Sequence, residues 1–141
     1  MEEVLITLKS RQKTPDDDES TELMTTGHLE VKEGELTLSY EDTETTGYEG
    51  SVTRVTVKDG ELVTVIRSGT ASSNLIVEQG KKHFCLYETP FGTMTIGVQG
   101  KSVVLEQGVK SGRLKLSYQL DINASYLSDN FLEMHWVAQE S

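Results

Sequence analysis

Apolar and polar residues alternate along most of this chain, and the alternation is clearest in residues 35–69. At the start of this stretch, Leu36, Leu38 and Tyr40 are each followed by a polar residue. A period of two places alternate side chains on opposite faces of a β-strand, so that one face is apolar and the other faces solvent. We therefore predict that the stretch forms consecutive antiparallel strands joined by turns.

Two further strands complete this stretch. Residues 51–58 are rich in valine and threonine, whose β-branched side chains favour a pleated strand. Asp59 and Gly60 follow, and an Asp-Gly pair between two strands favours a tight turn in which both residues have positive φ. Residues 61–68 form the returning strand, which begins with apolar residues on both faces. Such a strand is expected at a central position in the sheet.

The remaining chain repeats the same pattern of short alternating runs separated by glycine, proline and polar residues. Further strands are predicted at 4–12, 21–32, 75–78, 82–89, 93–106, 113–123 and 130–139, with turns at 33–34, 79–81, 90–92 and 109–112. Gly27 interrupts one strand, which indicates a bulge or a close approach of another segment. Gly97 and Gly100 indicate a bend in another. Helical periodicity is not sustained anywhere, and 126–132 is the one place where a helical turn would fit.

Eight to ten strands connected by short turns favour an antiparallel meander, in which each strand pairs with its neighbour in the chain. An open sheet of this size would leave exposed edges, and closure into a barrel removes them. We predict a single all-β domain over residues 1–141 that closes into a barrel. A two-sheet sandwich is the competing architecture.

The charge and the cysteine content narrow the classes of partner and compartment. The chain has 23 acidic and 13 basic residues and a net charge of −10. Such a balance repels phosphate backbones and anionic lipid surfaces, so we expect neither nucleic acid nor a membrane as partner. Cys85 is the only cysteine, and no apolar run approaches the length of a membrane span. The first residues lack the features of a signal peptide, and we expect a cytoplasmic protein.

No arrangement of residues points to catalysis, a metal or a cofactor. The three histidines are His28, His83 and His135, and their spacing does not suit a metal site. His83 and Cys85 are the one thiol–imidazole pair on a strand face, and a lone cysteine in a strand is usually a small core residue. A hydrolase or isomerase that uses His83, Cys85 or a carboxylate is the weakest of the three functional hypotheses. We expect a non-enzymatic protein without catalytic residues, metal or cofactor.

The interior of the barrel offers the candidate binding residues. Its predicted lining is Leu36, Leu38, Tyr40, Leu114, Leu116, Tyr118, Leu120, Leu132, Met134 and Trp136. A barrel of about eight strands is either filled by such side chains or holds one small ligand. Arg67 ends an otherwise apolar strand, and a cation directed inward could bind a carboxylate or phosphate. The alternative for Arg67 is a structural ion pair with Glu41 or Glu88, or simple exposure.

Four short motifs occur in an order and spacing that resemble one protein family. They are LSYE at 38–41, TVIRSG at 64–69, LYETPFG at 86–92 and GRLKLSY at 112–118. Their succession resembles the YwiB-like bacterial family, a domain of unknown function, over nearly the whole chain. The resemblance implies a lipocalin-like (calycin) β-barrel and a bacterial cytoplasmic protein, and it implies no established activity. The Gly-x-Trp motif of secreted lipocalins and the arginine–tyrosine pair of fatty-acid carriers are both missing here.

From the residues and the resemblance together, we predict a barrel that binds a small amphipathic molecule. The candidate ligand-binding residues combine aromatic groups with one cation, and they are Tyr40, Arg67, Tyr87, Tyr118 and Trp136. The alternative is a structural or protein-interaction module whose barrel is filled. For the oligomeric state, the sequence leaves a monomer and a homodimer open.

Overall fold

The computed structural model describes residues 2–42, 49–69, 73–89 and 92–139, apart from the side chains of 86–89. Ten β-strands and no helix occupy these residues. In chain order the strands are β1 (Glu2–Lys13), β2 (Asp18–Lys32), β3 (Glu35–Glu41), β4 (Ser51–Lys58), β5 (Leu62–Gly69), β6 (Ser73–Glu78), β7 (Lys82–Thr89), β8 (Gly92–Gln107), β9 (Ser111–Ile122) and β10 (Ser125–Ala138).

All ten strands belong to one antiparallel sheet, in the order β6-β5-β4-β3-β2-β1-β10-β9-β8-β7. Consecutive strands pair with each other from β1 to β6 and from β7 to β10. The first strand pairs with the last, from Val4 with Ala138 to Lys13 with Asp129, and β6 and β7 form the two ends of the sheet. The sheet therefore curls into a nearly closed barrel. The predicted all-β meander is confirmed, and the two-sheet alternative is wrong.

The barrel closes through a short seam between the two ends of the sheet. The Gly80 amide donates a hydrogen bond to the Gly100 carbonyl (3.0 Å), and the Gly100 amide donates one to the Lys81 carbonyl (2.9 Å). The Gln79 side chain accepts a third bond from the Val103 amide (3.1 Å). These bonds join the connection after β6 to the middle of β8, so closure uses a few contacts in place of a full strand ladder.

A bend in β8 makes this crossing possible. The register of β8 against β9 shifts between Gly100 and Ser102, which is a β-bulge. A side chain at Gly100 would collide with the backbone of Glu78, so the bulge and the glycine together admit the end of β6. The irregularity predicted from Gly97 and Gly100 is confirmed at Gly100, whereas Gly97 keeps its register with both neighbouring strands.

The Asp-Gly turn between β4 and β5 is confirmed. Asp59 and Gly60 have φ of 54° and 67°. The Glu61 amide closes the turn on the Lys58 carbonyl (3.1 Å). Strand pairing resumes at Lys58 with Leu62, so the connection is one residue longer than the tight turn alone.

Two of the predicted placements are wrong. β5 is the second strand from one end of the sheet and not central, and Ile66 on its outer face is 44% exposed. Apolar residues on both faces of β5 therefore did not indicate a central strand, because its outer face is partly exposed. Residues 126–132 lie within β10 and form no helical turn. The chain reverses before them at Asn123 and Ala124, which both have positive φ.

Other local predictions are settled by the register. Gly27 causes no shift in the pairing of β2 with β1, and a Cβ there would lie 2.7 Å from the Ile6 side chain. Gly27 is therefore a close approach and not a bulge. The turn predicted at 90–92 lies mostly outside the described residues.

The core confirms the predicted interior set. Leu36, Leu38, Tyr40, Leu114, Leu116, Met134 and Trp136 are buried, and Tyr118, Leu120 and Leu132 are partly buried and pack against them. Valines and isoleucines from β1, β4, β5, β6 and β8 complete this core, and Cys85 of β7 is buried among them. The described interior is thus an apolar core that also holds a few buried polar side chains, namely Asp42, Ser51, Thr53, Ser128 and Asn130.

Candidate functional site

A cluster of polar side chains faces the barrel interior where β3, β4 and β5 lie side by side. Tyr40 pairs with Thr53, and Thr53 pairs with Arg67, so the three residues form one row across the sheet. Asp42 directly follows β3, and its amide donates a hydrogen bond to the Ser51 carbonyl (2.8 Å). Strand register therefore assembles four polar groups from residues that are far apart in sequence.

The four groups are joined by hydrogen bonds. The Thr53 hydroxyl donates to Oδ2 of Asp42 (2.8 Å). Nε of Arg67 lies 3.3 Å from the same carboxylate oxygen and 3.2 Å from the Thr53 hydroxyl oxygen. The Asp42 side chain is fully buried, whereas 19% of the Arg67 side chain is exposed. The cation is thus partly exposed, while the carboxylate that it contacts is buried.

One oxygen of the Asp42 carboxylate has no hydrogen-bond partner among the described residues. This oxygen, Oδ1, is buried. A buried acceptor without a donor is costly, and a carboxylate oxygen more so than a neutral one. This position would be stabilised by any group that brings an N–H or O–H to it.

Tyr40 supplies a hydroxyl at the edge of the cluster. Burial raises the pKa of Tyr40 above its ordinary value of 10.0, and the nearby Asp42 carboxylate raises it further. The Arg67 cation and a hydrogen bond with Thr53 act in the opposite direction. At neutral pH the phenol is therefore protonated and can donate a hydrogen bond.

The other predicted ligand residues lie elsewhere. Trp136 is buried, with 2% of its surface exposed. Its ring packs so closely on Gly112 that a Cβ at Gly112 would collide with it. Tyr118 is partly buried and lies in a row with Gly100 and Asn130, towards the seam. Tyr87 of β7 pairs with Met94 of β8, and the Tyr87 side chain is outside the described part. The structure brings together Tyr40 and Arg67, and it places Tyr118 and Trp136 apart from them.

The described ion pair of Arg67 is with Asp42. Glu41, one of the two predicted partners, is exposed. The other, Glu88, has its side chain outside the described residues, and that pairing stays a prediction. The alternation through Leu36, Leu38 and Tyr40, continued by one step, would have placed Asp42 on the inner face. The sequence therefore contained a signal for Asp42. It was missed because Asp42 is polar and follows the apolar run, so that the residue reads as part of the next loop.

The remaining candidate chemistry does not form a second centre. Nε2 of His83 lies 2.8 Å from Oε1 of Glu78, and hydrogen bonds with His83 and Lys81 lower the pKa of Glu78. Cys85 is a buried core residue. Among the described residues, no three His, Cys, Asp or Glu side chains cluster as metal ligands would. No helix there is long and apolar enough to cross a bilayer.

Similarity to known proteins identifies the family. The chain is 28% identical over 123 residues to the uncharacterized β-barrel protein YwiB of Bacillus subtilis (strain 168), over 86% of this chain and 84% of that protein. The crystal structure of the ywiB protein from Bacillus subtilis matches with a TM-score of 0.83 at 23% identity, over 99% of this chain and 93% of that one. Residues 6–134 match a family described as a domain of unknown function, DUF1934. The resemblance predicted from the four motifs is confirmed, and the chain belongs to the DUF1934 family of YwiB-like β-barrel proteins.

Proposed function

We propose that the protein is a non-enzymatic, cytoplasmic, calycin-like barrel that binds a small amphipathic molecule beside Asp42 and Arg67. The observation that carries this proposal is the buried Asp42 oxygen without a hydrogen-bond donor among the described residues. Proteins seldom leave such an oxygen unsatisfied, and exceptions call for an explanation such as a ligand or an ion. Arg67, Thr53 and Tyr40 hold further polar groups next to it.

The charge of the cluster favours one kind of ligand. Asp42 already neutralises Arg67, so a carboxylate or phosphate would gain little from the guanidinium. A hydroxyl, amide or amine group could donate to Oδ1 of Asp42. The apolar part of the ligand would lie along the next inward row of the same strands, at Leu38 and Val55. The expected ligand is therefore an apolar molecule with a hydrogen-bond donor at one end.

A second candidate function is a structural or protein-interaction module with a filled barrel. It is supported by the continuous apolar core, in which Ile6, Leu38, Leu114 and Met134 are all fully buried. In this case the Asp42–Arg67 pair would only organise one end of the fold. A hydrolase or isomerase remains the weakest alternative, since His83 contacts Glu78 and Cys85 is buried.

Native mass spectrometry of gently purified protein tests the proposal. We expect an additional mass that is retained in the native spectrum and lost on denaturation. The Asp42→Asn variant, which keeps the shape of the side chain, should retain at least tenfold less of it, because a charged hydrogen bond contributes about 1.5–3 kcal/mol. Arg54→Met removes an exposed arginine from the outer face of β4 and serves as the matched control.

The same spectra also distinguish the alternatives. An apo mass in every preparation would reject the proposal in favour of the filled barrel. Equal retention by wild type and Asp42→Asn would mean that the ligand binds elsewhere. The spectra report the oligomeric state as well, which separates a monomer from a homodimer.

A further inference from the structure

A cleft lies on the outer face of the sheet, whereas the Asp42 cluster is on the inner face. It has a volume of about 710 Å³ and crosses β2, β1, β10 and β9. Phe131 on β10 lines it and is 42% exposed. The volume is within the range of roughly 300–1,000 Å³ that small-molecule sites occupy. This cleft is separate from the Asp42 cluster, which faces the interior.

Strand register surrounds Phe131 with cations. Arg11 on β1 lies directly opposite Phe131. Lys9 and Lys115 lie in the next row, on either side of Glu133. Both lysines are therefore diagonal neighbours of Phe131, at roughly 7–8 Å between backbones. All five side chains line the cleft.

Lys9 lies directly opposite Glu22 and Glu133, and Lys115 lies directly opposite Glu133, but neither lysine is in an ion pair among the described residues. Arg11 is held by Asp18 through two hydrogen bonds of 2.7 and 3.0 Å, and Glu133 pairs with Arg113 at 3.3 Å. Glu22 is the remaining acid of the cleft. The lining is thus locally positive on a protein whose net charge is −10.

The walls of the cleft add hydrogen-bonding groups. Ser20, Ser102 and Ser117 lie on the outer face and contribute to its lining. Ser102 is the residue at which the β8 bulge ends, and a bulge bends its strand and redirects side chains. Hydroxyl groups can donate to an anion, whereas the carboxylates elsewhere on this surface would repel one.

We propose that this cleft binds a small aromatic anion. The ring packs on Phe131, and the carboxylate, sulfonate or phosphate group binds the Lys9 and Lys115 ammonium groups on the Phe131 side of Glu133. The Glu133 carboxylate pairs with Arg113, which lies in the row on the other side. Two features on neighbouring rows carry the assignment. They are an exposed aromatic ring in a concave surface and, beside it, two lysines that form no ion pair with any described residue. The proposal does not depend on ligand binding in the interior, because it uses other residues on the other face of the sheet.

The test uses anilinonaphthalene sulfonate as an aromatic anion and phenylnaphthylamine as its uncharged counterpart. Binding is followed by fluorescence and located by amide chemical shifts in NMR spectra. We expect the sulfonate to bind more tightly than the amine and to shift the amides of Phe131 and Ser117. Lys9→Gln and Lys115→Gln should each weaken sulfonate binding roughly two- to fivefold, as for an exposed charge pair. Phe131→Ala should weaken it roughly tenfold.

Phe84→Ala is the matched control. Phe84 is also an exposed phenylalanine, at 66%, with the Lys82 ammonium 5.5 Å from its ring, but it does not line this cleft. Its replacement should leave binding unchanged. The proposal is overturned if the sulfonate does not bind, if the uncharged amine binds equally well, or if Lys115→Gln and Phe131→Ala bind like wild type. Shifts centred on Tyr40 instead of Phe131 would overturn it as well.

Discussion

Asp42 shows how one residue can link the stability of this barrel to its proposed function. Its carboxylate is fully buried, and its described ion pair is with Arg67, 3.3 Å away. Removing two charges together from a buried site is often tolerated, whereas removing one of them leaves the other without compensation. The pair can therefore be tested for stability separately from ligand binding.

Replacing Arg67 by methionine is expected to lower the free energy of unfolding by roughly 2–4 kcal/mol, because the buried Asp42 carboxylate loses its cation. The double variant Arg67→Met/Asp42→Asn should recover most of this loss, since no buried charge then remains. Urea unfolding of wild type, both single variants and the double variant measures the interaction free energy. Arg54→Met should stay within about 0.5 kcal/mol of wild type. A double variant less stable than Arg67→Met alone would contradict the account.

Strand β8 makes contacts outside its own ladder. It pairs with β7 and β9, and at Gly100 it also receives the chain that leaves β6. A Cβ at Gly100 would lie 2.7 Å from the carbonyl carbon of Glu78. Because the obstruction is backbone, it cannot be relieved by a change of side-chain rotamer. The seam thus requires glycine at this position.

Gly100→Ala is expected to open the seam and to destabilise the protein by about 1–3 kcal/mol, the usual effect of overpacking. Hydrogen exchange should show lost protection at the amides of Gly80, Gly100 and Val103, which make the seam bonds. Lys101→Ala, at the exposed neighbouring position, is the control and should leave these amides protected. Wild-type protection in Gly100→Ala would show that the strands close by another route.

At the scale of the whole molecule, closure and charge oppose one another. The first and last strands, β1 and β10, pair with each other. Beyond the end of β10, the Gln139 amide donates a hydrogen bond to the Glu3 carbonyl (3.0 Å). The same compact shape concentrates a net charge of −10 on one surface. Such a charge favours solubility and opposes compactness through self-repulsion.

Sodium chloride is therefore expected to raise the melting temperature. About 1 M salt shortens the screening length to about 3 Å, and relief of about 1 kcal/mol of repulsion corresponds to roughly 3–4 °C in a domain of this size. Calorimetry at low and high salt measures the shift. Asp16→Lys/Glu19→Lys, at two exposed positions, makes the chain less acidic and should reduce the gain. A melting temperature that falls with salt would show that surface ion pairs outweigh the repulsion.

The sequence by itself determined the local structure of this protein. Alternation places Leu36, Leu38 and Tyr40 on the inner face, and Asp59-Gly60 specifies its own turn, because both properties depend only on neighbouring residues. Short turns between alternating runs also determined the meander, and four motifs identified the family. Even Asp42 follows the same period of two.

Only the tertiary structure decided which residues meet across the barrel. A period of two assigns a side chain to a face, but it does not say which distant strand lies opposite or how far the strands are offset. The pairing of β1 with β10, the seam at Gly100 and the partner of Arg67 all depend on this offset. So does the outer cleft, where Lys9 and Phe131 come from opposite ends of the chain. These contacts arise when the sheet curls and closes, which is a property of all ten strands together.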